Sequence, residues 1–202
     1  MSLPRIIGFA SLLLLNQYLW KVVPFDFKIR EFGKPIIWGG ILISLHLIFW
    51  FGCGGSSYPK NIALGVSITT MFVGLFEEYA FRGTLLSGMS GLMSPLKAVV
   101  FSNIIFTVFH ILVQPIRNWT IIFLIGCILA SMRIRGISLF WLAVIHIIMD
   151  DLYLLFGLRH PSFLSVNNVL FNIGLLTFAV VIFPKDKEIT DQFAELDPIA
   201  AR

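Results

Sequence analysis

Charged residues are scarce in this chain: 15 Lys and Arg and 11 Asp and Glu make up only 13% of its 202 residues. A soluble globular domain carries about twice that charged fraction. Hydrophobic residues reach 57%, with 20 phenylalanines among them, and the mean hydropathy is +0.89. This composition excludes an ordinary soluble domain and predicts a polytopic membrane protein with a single domain.

Cysteine is scarce as well. Cys53 and Cys127 are far apart in the sequence and lie in apolar surroundings, which predicts buried thiols rather than a disulfide or a metal pair. The sequence also lacks internal repeats, low-complexity segments and any basic patch interleaved with aromatic residues. It therefore gives no indication of a repeat protein or of a nucleic-acid partner.

The apolar stretches predict an all-α fold: a polytopic membrane helical bundle of about seven transmembrane helices. A stretch of this length crosses roughly 28 Å at 1.5 Å per residue. The predicted spans cover residues 5–23, 35–52, 61 to an end left open, 97–114, 119–132, 137–157 and 164–183. Together they form a transmembrane domain over 1–184, and 185–202 form a polar cytoplasmic tail.

The end of the third span is ambiguous because glycines interrupt the apolar pattern. Gly83, Gly88 and Gly91 all precede Pro95. We therefore expect a short helix or a re-entrant piece at 84–94, which a membrane protein tolerates where the backbone is buried in protein or lines a cavity.

Basic residues are distributed unequally between the two ends of the predicted spans. With seven spans, four Lys and Arg fall on one side and ten on the other, and Arg82 lies within the bilayer. The side richer in Lys and Arg faces the cytoplasm. We therefore expect a multi-pass protein of the cell membrane, with its N-terminus outside and its C-terminus in the cytoplasm.

Two adjacent glutamates and an arginine lie within the third predicted span. A charge at bilayer depth is expensive, so an ionisable residue there indicates a functional site. Residues four apart share a helix face, so we expect Glu78 to pair with Arg82. Glu77 points roughly 100° away from Glu78 on the same helix. We therefore expect Arg82 not to pair with Glu77, which leaves the Glu77 carboxylate available for chemistry. A buried ion network that only locks helices together is the alternative.

Further polar residues lie on other spans at spacings that suit the same site. Phe106 and His110 are four residues apart on the fourth span, and His146 and Asp150 are four apart on the sixth. If these helix faces converge on the glutamates, they build one site. His46 is alone on the second span, and we expect a neighbouring helix to satisfy it outside that site.

Three motifs on successive apolar helices carry a family resemblance. Residues 77–82 read EEYAFR and match EExxxR, 106–110 read FTVFH and match FxxxH, and 146–150 read HIIMD and match HxxxN/D. Over roughly residues 60–155 the chain resembles the CPBP family. This family comprises type II CAAX prenyl endopeptidases, bacteriocin-processing and self-immunity proteins, and related intramembrane glutamate-type proteases.

The resemblance implies a division of roles that agrees with the spacing. Glu77 and His110 would share an activated water, because hydrolysis of a peptide in a membrane needs a positioned water and a base. Glu78 and Arg82 would be structural or would position the substrate. His146 would donate to the tetrahedral oxyanion.

Asp150 departs from the prenyl endopeptidase branch, where the corresponding residue is asparagine. An asparagine amide can donate to an oxyanion, whereas an ionised aspartate only accepts. Asp150 is therefore protonated, orients His146 or helps to hold a metal. Glu77, His110, His146 and Asp150 have the ligand chemistry of zinc. The sequence has no HExxH pair, however, and the resembled family is metal-independent, so we expect no cofactor and keep zinc as the alternative.

The expected function is an intramembrane endopeptidase that uses a glutamate-activated water to cleave a membrane-associated protein or peptide within the lipid bilayer. One alternative is a non-hydrolytic self-immunity or membrane chaperone protein, against which the intact Glu77, His110 and His146 argue. The other is a proton-coupled carrier, against which the lack of repeat symmetry argues. A sorting transpeptidase is not separable from a hydrolase, because the motifs do not encode the acceptor nucleophile.

The predicted spans leave one conflict of depth. Counted from the outer ends at 1.5 Å per residue, Glu77 lies roughly 24 Å deep and His110 roughly 10 Å deep. The two residues can meet only if the third span continues beyond Arg82 and tilts, or if the boundaries of the fourth span differ by about a turn.

Overall fold

The computed structural model describes residues 32–52, 60–90, 92–111, 114–155 and 166–184, and all regular structure in these ranges is helical. Helices are the form in which an apolar segment satisfies its own backbone polar groups without water. The elements are α1 (Gly33–Gly52), α2 (Lys60–Glu77), a π-helical segment (Glu78–Leu85), α3 (Leu86–Ser90), α4 (Pro95–Phe109), a 3-10 turn (Ile116–Asn118), α5 (Trp119–Ile134), α6 (Leu139–Leu155) and α7 (Val166–Ile182).

Six of the seven predicted spans coincide with a helix in the described residues. The first predicted span, 5–23, and the predicted tail, 185–202, lie outside the described residues, as does Cys53. Cys127 is a free thiol, but it is only half-buried. The segment Ile116–Ile134 is long and apolar enough to cross a membrane, and α4, α7 and Gly33–Phe49 are shorter apolar helices.

The bundle is arranged around α5 and α6, whose side chains form most of the core. Ile128, Leu129 and Leu142 are fully buried, and they pack with Leu42 of α1 and Leu175 of α7. The outer helices, by contrast, expose large apolar side chains to their surroundings, such as Ile36, Leu64, Ile104 and Val169. An apolar exterior around an apolar core is the pattern of a bundle that faces lipid.

The third predicted span differs from its expectation because its helix does not stop at Arg82. It continues through the π-helical segment into α3 and ends at Ser90. In the π-helical segment the hydrogen bonds reach five residues back: the Leu86 N–H donates to the Phe81 carbonyl, and the Thr84 hydroxyl donates to the Tyr79 carbonyl at 3.2 Å. A short helix, α3, therefore lies within 84–94 as one of the two expected forms, but it continues the preceding helix without a break at Gly83 or Gly88 and is not a re-entrant piece.

The same two helices resolve the conflict of depth. The fourth predicted span was expected to reach Gln114, but α4 ends at Phe109 and His110 begins a turn. Pro115 disfavours a helical conformation at the residue before it, so the helix cannot run on into the next one. Glu77 and His110 each lie roughly 20 Å along a helix from the turn at 92–94, and they therefore meet at one level.

Polar contacts join several helix ends at one end of the bundle. The Lys34 ammonium donates to the Arg135 carbonyl at 3.3 Å, and Arg135 Nε donates to the Ile182 carbonyl at 2.6 Å. The start of α1, the turn between α5 and α6, and the end of α7 therefore lie together. The ends of α1 and α4 and the start of α5 lie at the opposite end.

Glycine permits close approach of the helices that carry the charged residues. A Cβ on Gly74 of α2 would lie 2.7 Å from Ile147 Cγ1 of α6. A Cβ on Gly126 of α5 would overlap the Asn103 side-chain oxygen of α4 and lie 3.2 Å from Phe106 Cδ1. These positions bring α2 against α6 and α4 against α5.

We expect Gly126→Ala to destabilise the bundle, because overpacking of a close helix contact costs roughly 1–3 kcal/mol. Gly40→Ala is the matched control: a Cβ on Gly40 meets nothing within 4 Å, and alanine favours the helix over glycine. Thermal melting in detergent compares the two variants with the parent. Equal melting temperatures for the two variants would contradict the close contact at Gly126.

Candidate active site

The Arg82 guanidinium lies at the centre of the buried polar contacts and is 1% exposed. Its Nη1 donates to Glu78 Oε1 at 3.1 Å, and its Nη2 donates to the Gly126 carbonyl at 3.3 Å and to Asn103 Oδ1 at 3.5 Å. The guanidinium carbon lies 4.3 Å from the centre of the Phe106 ring, in cation–π geometry. The predicted pairing of Glu78 with Arg82 is confirmed, and one side chain ties the π-helical segment to α4 and α5.

Glu78 connects this arginine to the histidine of α6. Its Oε1 accepts from His146 Nδ1 at 2.6 Å as well as from Arg82. Both Glu78 and the imidazole are buried, so this short hydrogen bond to a carboxylate is shielded from water. Glu78 therefore fixes the orientation of the His146 ring. In the sequence analysis, this role was one of the alternatives for Asp150.

Glu77 faces two histidines from two other helices. Its Oε2 lies 3.5 Å from His110 Nε2 and 3.7 Å from His146 Nε2, and the side chain is 1% exposed. The structure thus brings Glu77, His110 and His146 together, so the polar faces of these three helices converge. Because the glutamate is adjacent to Glu78, one turn of helix supplies both the carboxylate at the arginine and the carboxylate at the histidines.

The hydrogen bonds of the two histidines assign their ring nitrogens. His110 Nδ1 lies 2.8 Å from the Phe106 carbonyl, which can only accept, so Nδ1 carries the hydrogen. In the neutral ring its Nε2 is then an acceptor that faces Glu77. His146 Nδ1 donates to the Glu78 carboxylate, and its Nε2 likewise faces Glu77. Each imidazole is therefore held by a hydrogen bond at Nδ1, and each presents its Nε2 to the Glu77 carboxylate.

Asp150 lies at the edge of this group rather than within it. Its Oδ2 is 3.8 Å from His146 Nε2, and its side chain is 35% exposed, against 1% for Glu77. The predicted sharing of a face by His146 and Asp150 is therefore present. Asp150 adjoins the nitrogen that faces Glu77 and not the nitrogen that Glu78 holds.

A cavity of about 130 Å³ lies beside these residues, between α1, α4, α5, α6 and α7. His110, His146 and Asp150 form part of its wall. Its polar residues also include Gln114, Arg117, Asn118, Tyr153 and Asn168. Asn118 Nδ2 donates to Gln114 Oε1 at 3.0 Å and to the Tyr153 hydroxyl at 3.2 Å, so part of this wall is an organised polar network.

Sequence reasoning missed two residues of this region. Phe106 was noted only for its spacing from His110, yet its ring stacks on Arg82 and its carbonyl fixes the His110 tautomer. His46 was placed outside the site, yet it lines the same cavity as His110 and His146. The signal that was available for His46 is its rarity, because the chain has only four histidines.

A metal would draw its ligands from the same side chains. Glu77 Oε2 and the Nε2 atoms of His110 and His146 have ligand chemistry and face one another. Within the described part of the chain, no group of three or more His, Cys, Asp or Glu is arranged to hold a metal ion.

The fold and the site define a helical bundle with a buried carboxylate–histidine centre beside a cavity. Residues 59–151 match the family model Rce1-like, described as type II CAAX prenyl endopeptidase Rce1-like. The matched segment contains all three motifs and extends from the start of α2 into α6. Neither the comparison with curated proteins nor the comparison with solved structures gave a match.

Over this segment the chain is similar to the CAAX protease family, and the resemblance drawn from the motifs is confirmed. The matched family is one of membrane-integral proteases that act on membrane-associated proteins, and the apolar helical bundle described here fits a protein of that class. Helices α1 and α7 lie outside the matched segment, although both contribute to the wall of the cavity.

We expect Arg82→Ala to lower the folded yield and the melting temperature, because it leaves the buried Glu78 carboxylate without its cation. Breaking a buried ion pair from one side costs roughly 3–5 kcal/mol. Arg117→Ala is the control: Arg117 is exposed, and a surface substitution of this kind changes stability by roughly 0.5 kcal/mol or less. If Arg82→Ala melted with the parent, Arg82 would not hold the site together.

Proposed function

We propose that this protein is an intramembrane endopeptidase in which Glu77 activates a water molecule for attack on a peptide bond. The observation that carries the proposal is the position of Glu77 Oε2, buried and 3.5 and 3.7 Å from the Nε2 atoms of His110 and His146. A carboxylate between two such nitrogens can take a proton from water while the nitrogens hold the reacting oxygens. These are the parts that acyl transfer to water requires.

In the first half of the reaction, Glu77 accepts a proton from the water as the water oxygen bonds to the substrate carbonyl carbon. The neutral His110 ring accepts the second hydrogen bond of this water at Nε2, because its Nδ1–H is engaged by the Phe106 carbonyl. In the second half, the carbon–nitrogen bond breaks and Glu77 returns the proton to the leaving amine. The products are a carboxylic acid and an amine, and Glu77 is again ionised.

His146 has the position of the oxyanion donor in this scheme. As an imidazolium it donates Nδ1–H to Glu78 and directs Nε2–H towards the cavity. Two cations, Arg82 and the imidazolium, then stand among three carboxylates, so the site carries little net charge. Asp150 cannot donate when ionised, and we assign it the role of accepting from His146 Nε2–H before the substrate arrives.

The proposal includes no cofactor, and it takes water as the acceptor. A sorting transpeptidase would share the attack and collapse steps and would differ only in the nucleophile that enters. The substrate is a membrane-associated protein or peptide, because the cavity is lined mainly by side chains of helices within an apolar bundle. Glu78 and Arg82 act in this scheme by positioning His146 and the helices.

We also propose that the bundle end with Lys34, Lys97, Arg133 and Arg135 faces the cytoplasm, because basic residues concentrate there. Single cysteines at Lys34 and at the exposed Ile116, placed in a background without Cys53 and Cys127, test this orientation. We expect a membrane-impermeant maleimide to label the Ile116→Cys protein in intact cells and the Lys34→Cys protein only after permeabilisation. The opposite pattern would reverse the orientation.

We expect Glu77→Gln to remain folded and to lose cleavage of membrane-peptide substrates, by 10²-fold or more, because glutamine keeps the shape and removes the base. Purified parent and variant are compared for cleavage in detergent and for thermal melting. A folded variant that cleaves as well as the parent would remove Glu77 from the mechanism.

Asp151→Asn is the matched control for this experiment. It makes the same change of carboxylate to amide one position from Asp150, but Asp151 accepts from the Thr70 hydroxyl at 2.5 Å, away from the glutamates. We expect it to cleave at the rate of the parent.

A parallel assay with a chelator is expected to leave the activity intact, and a loss that added metal restores would replace the metal-free mechanism with a metal-dependent one.

A further inference from the structure

His46 is a cavity residue that the proposed mechanism does not use. It lies on α1, outside the segment 59–151 that matches the protease family. Three of the four histidines of the chain line this one cavity, and the fourth, His160, lies outside the described residues. Two of the three, His110 and His146, belong to the proposed catalytic group, so His46 on the facing helix requires an account of its own.

The hydrogen bond of His46 determines what its ring offers to the cavity. Nδ1 lies 2.9 Å from the Leu42 carbonyl one turn earlier, and a carbonyl only accepts, so Nδ1 carries the hydrogen. In the neutral ring, Nε2 is therefore an acceptor. The ring also packs edge-on against Phe171 of α7, with the centroids 5.1 Å apart and an angle of 87° between the planes. This packing holds the imidazole in place.

The wall around His46 is mainly apolar and aromatic, with Asn168 of α7 as a polar member. Phe171 stacks on Phe49 with the centroids 4.1 Å apart and an angle of 15° between the planes. Ile121, Ile122 and Ile125 of α5 complete this side of the cavity. The cavity volume of about 130 Å³ is close to the roughly 150 Å³ of an engineered apolar cavity that binds benzene. This is the volume of the whole cavity, including the part beside His110 and His146, so the part beside His46 has room for no more than one ring-sized group.

A hydrogen-bond acceptor in a mainly apolar wall favours a ligand that carries a donor, because any other ligand leaves the acceptor without a hydrogen bond. An apolar ring that fills this space buries the His46 acceptor without a partner, and an unpaired buried polar group is costly. A ring that carries its own hydrogen donor fills the same space and satisfies that acceptor. Sites built to bond a substrate hydroxyl discriminate strongly against the analogue that lacks it.

We propose that His46, Phe49 and Phe171 form a subsite for one substrate side chain near the cleaved bond, and that it selects an aromatic side chain with an O–H or N–H donor. Tyrosine and tryptophan are the natural side chains of this kind. The inference rests on the proposed function, because it takes the cavity to be the place where the substrate lies. It adds the determinant of specificity, which comes from α1 and α7 and not from the family segment.

The test measures binding of a capped tyrosine–leucine dipeptide and of its phenylalanine counterpart to the purified full-length protein in detergent. The two probes differ by one hydroxyl group. We expect the tyrosine probe to bind the parent about tenfold more tightly, which corresponds to about 1.4 kcal/mol. His46→Gln, which retains a side-chain acceptor, should keep much of this preference, and His46→Phe should bind both probes alike.

The preference between probes separates this role from a structural one, since a variant that only loosens the bundle weakens both probes together. Equal binding of the two probes by the parent would overturn the inference without any variant. A tyrosine preference that survives in His46→Phe, or in His46→Leu where the former does not fold, would also overturn it.

Probe binding is also measured with the Glu77→Gln protein, so that the test of the subsite does not depend on catalysis. The same tyrosine preference there supports the subsite whether or not the parent cleaves peptides. Cleavage by the parent without any preference for tyrosine or tryptophan over phenylalanine and leucine near the cleaved bond would leave the protease in place and remove the subsite.

Discussion

The buried Arg82 guanidinium is the constraint on which the other contacts depend. A cation in an apolar bundle is costly unless a carboxylate and further acceptors surround it. Here the acceptors come from three elements: Glu78 of the π-helical segment, Asn103 of α4 and the carbonyl of Gly126 of α5. Satisfying one side chain therefore fixes the relative positions of three helical elements at the level where the chemistry is expected.

The contacts continue from the arginine in a closed ring. The order of the ring is Arg82, Glu78, His146, Glu77, His110 and Phe106, whose aromatic face returns to the guanidinium. Each member is held from two sides, so the orientation of each side chain depends on its neighbours. Such an arrangement explains how a carboxylate can be buried and still be aimed at two nitrogens, with little freedom to rotate away.

The π-helical segment begins at Glu78, directly after Glu77. Its hydrogen bonds span five residues, and segments of this kind are frequent at functional sites. It also accommodates Gly83, which lies close to Leu139 of α6, and it carries the helix on to Ser90. Asp150, by contrast, lies at the cavity wall, with its Oδ2 3.8 Å from His146 Nε2.

The sequence by itself determined the class of the protein and named the candidate residues Glu77, His110 and His146 that lie together in the structure. Scarce charge and long apolar runs predict a membrane helical bundle, and six predicted spans appear as helices in the described residues. Spacing predicted the pair Glu78–Arg82 and the shared face of His146 and Asp150, because residues four apart on one helix are neighbours whatever surrounds them.

Only the tertiary structure decided how the helices meet. It assigned Glu78, rather than Asp150, to hold His146, ended α4 at Phe109, carried the glutamate helix on to Ser90 and brought His46 to the cavity. These are contacts between residues remote in sequence, and they depend on close approaches such as that at Gly126. A periodic sequence pattern indicates which face of a helix is polar. The helix that packs against that face is determined by packing and by the need to surround a buried charge.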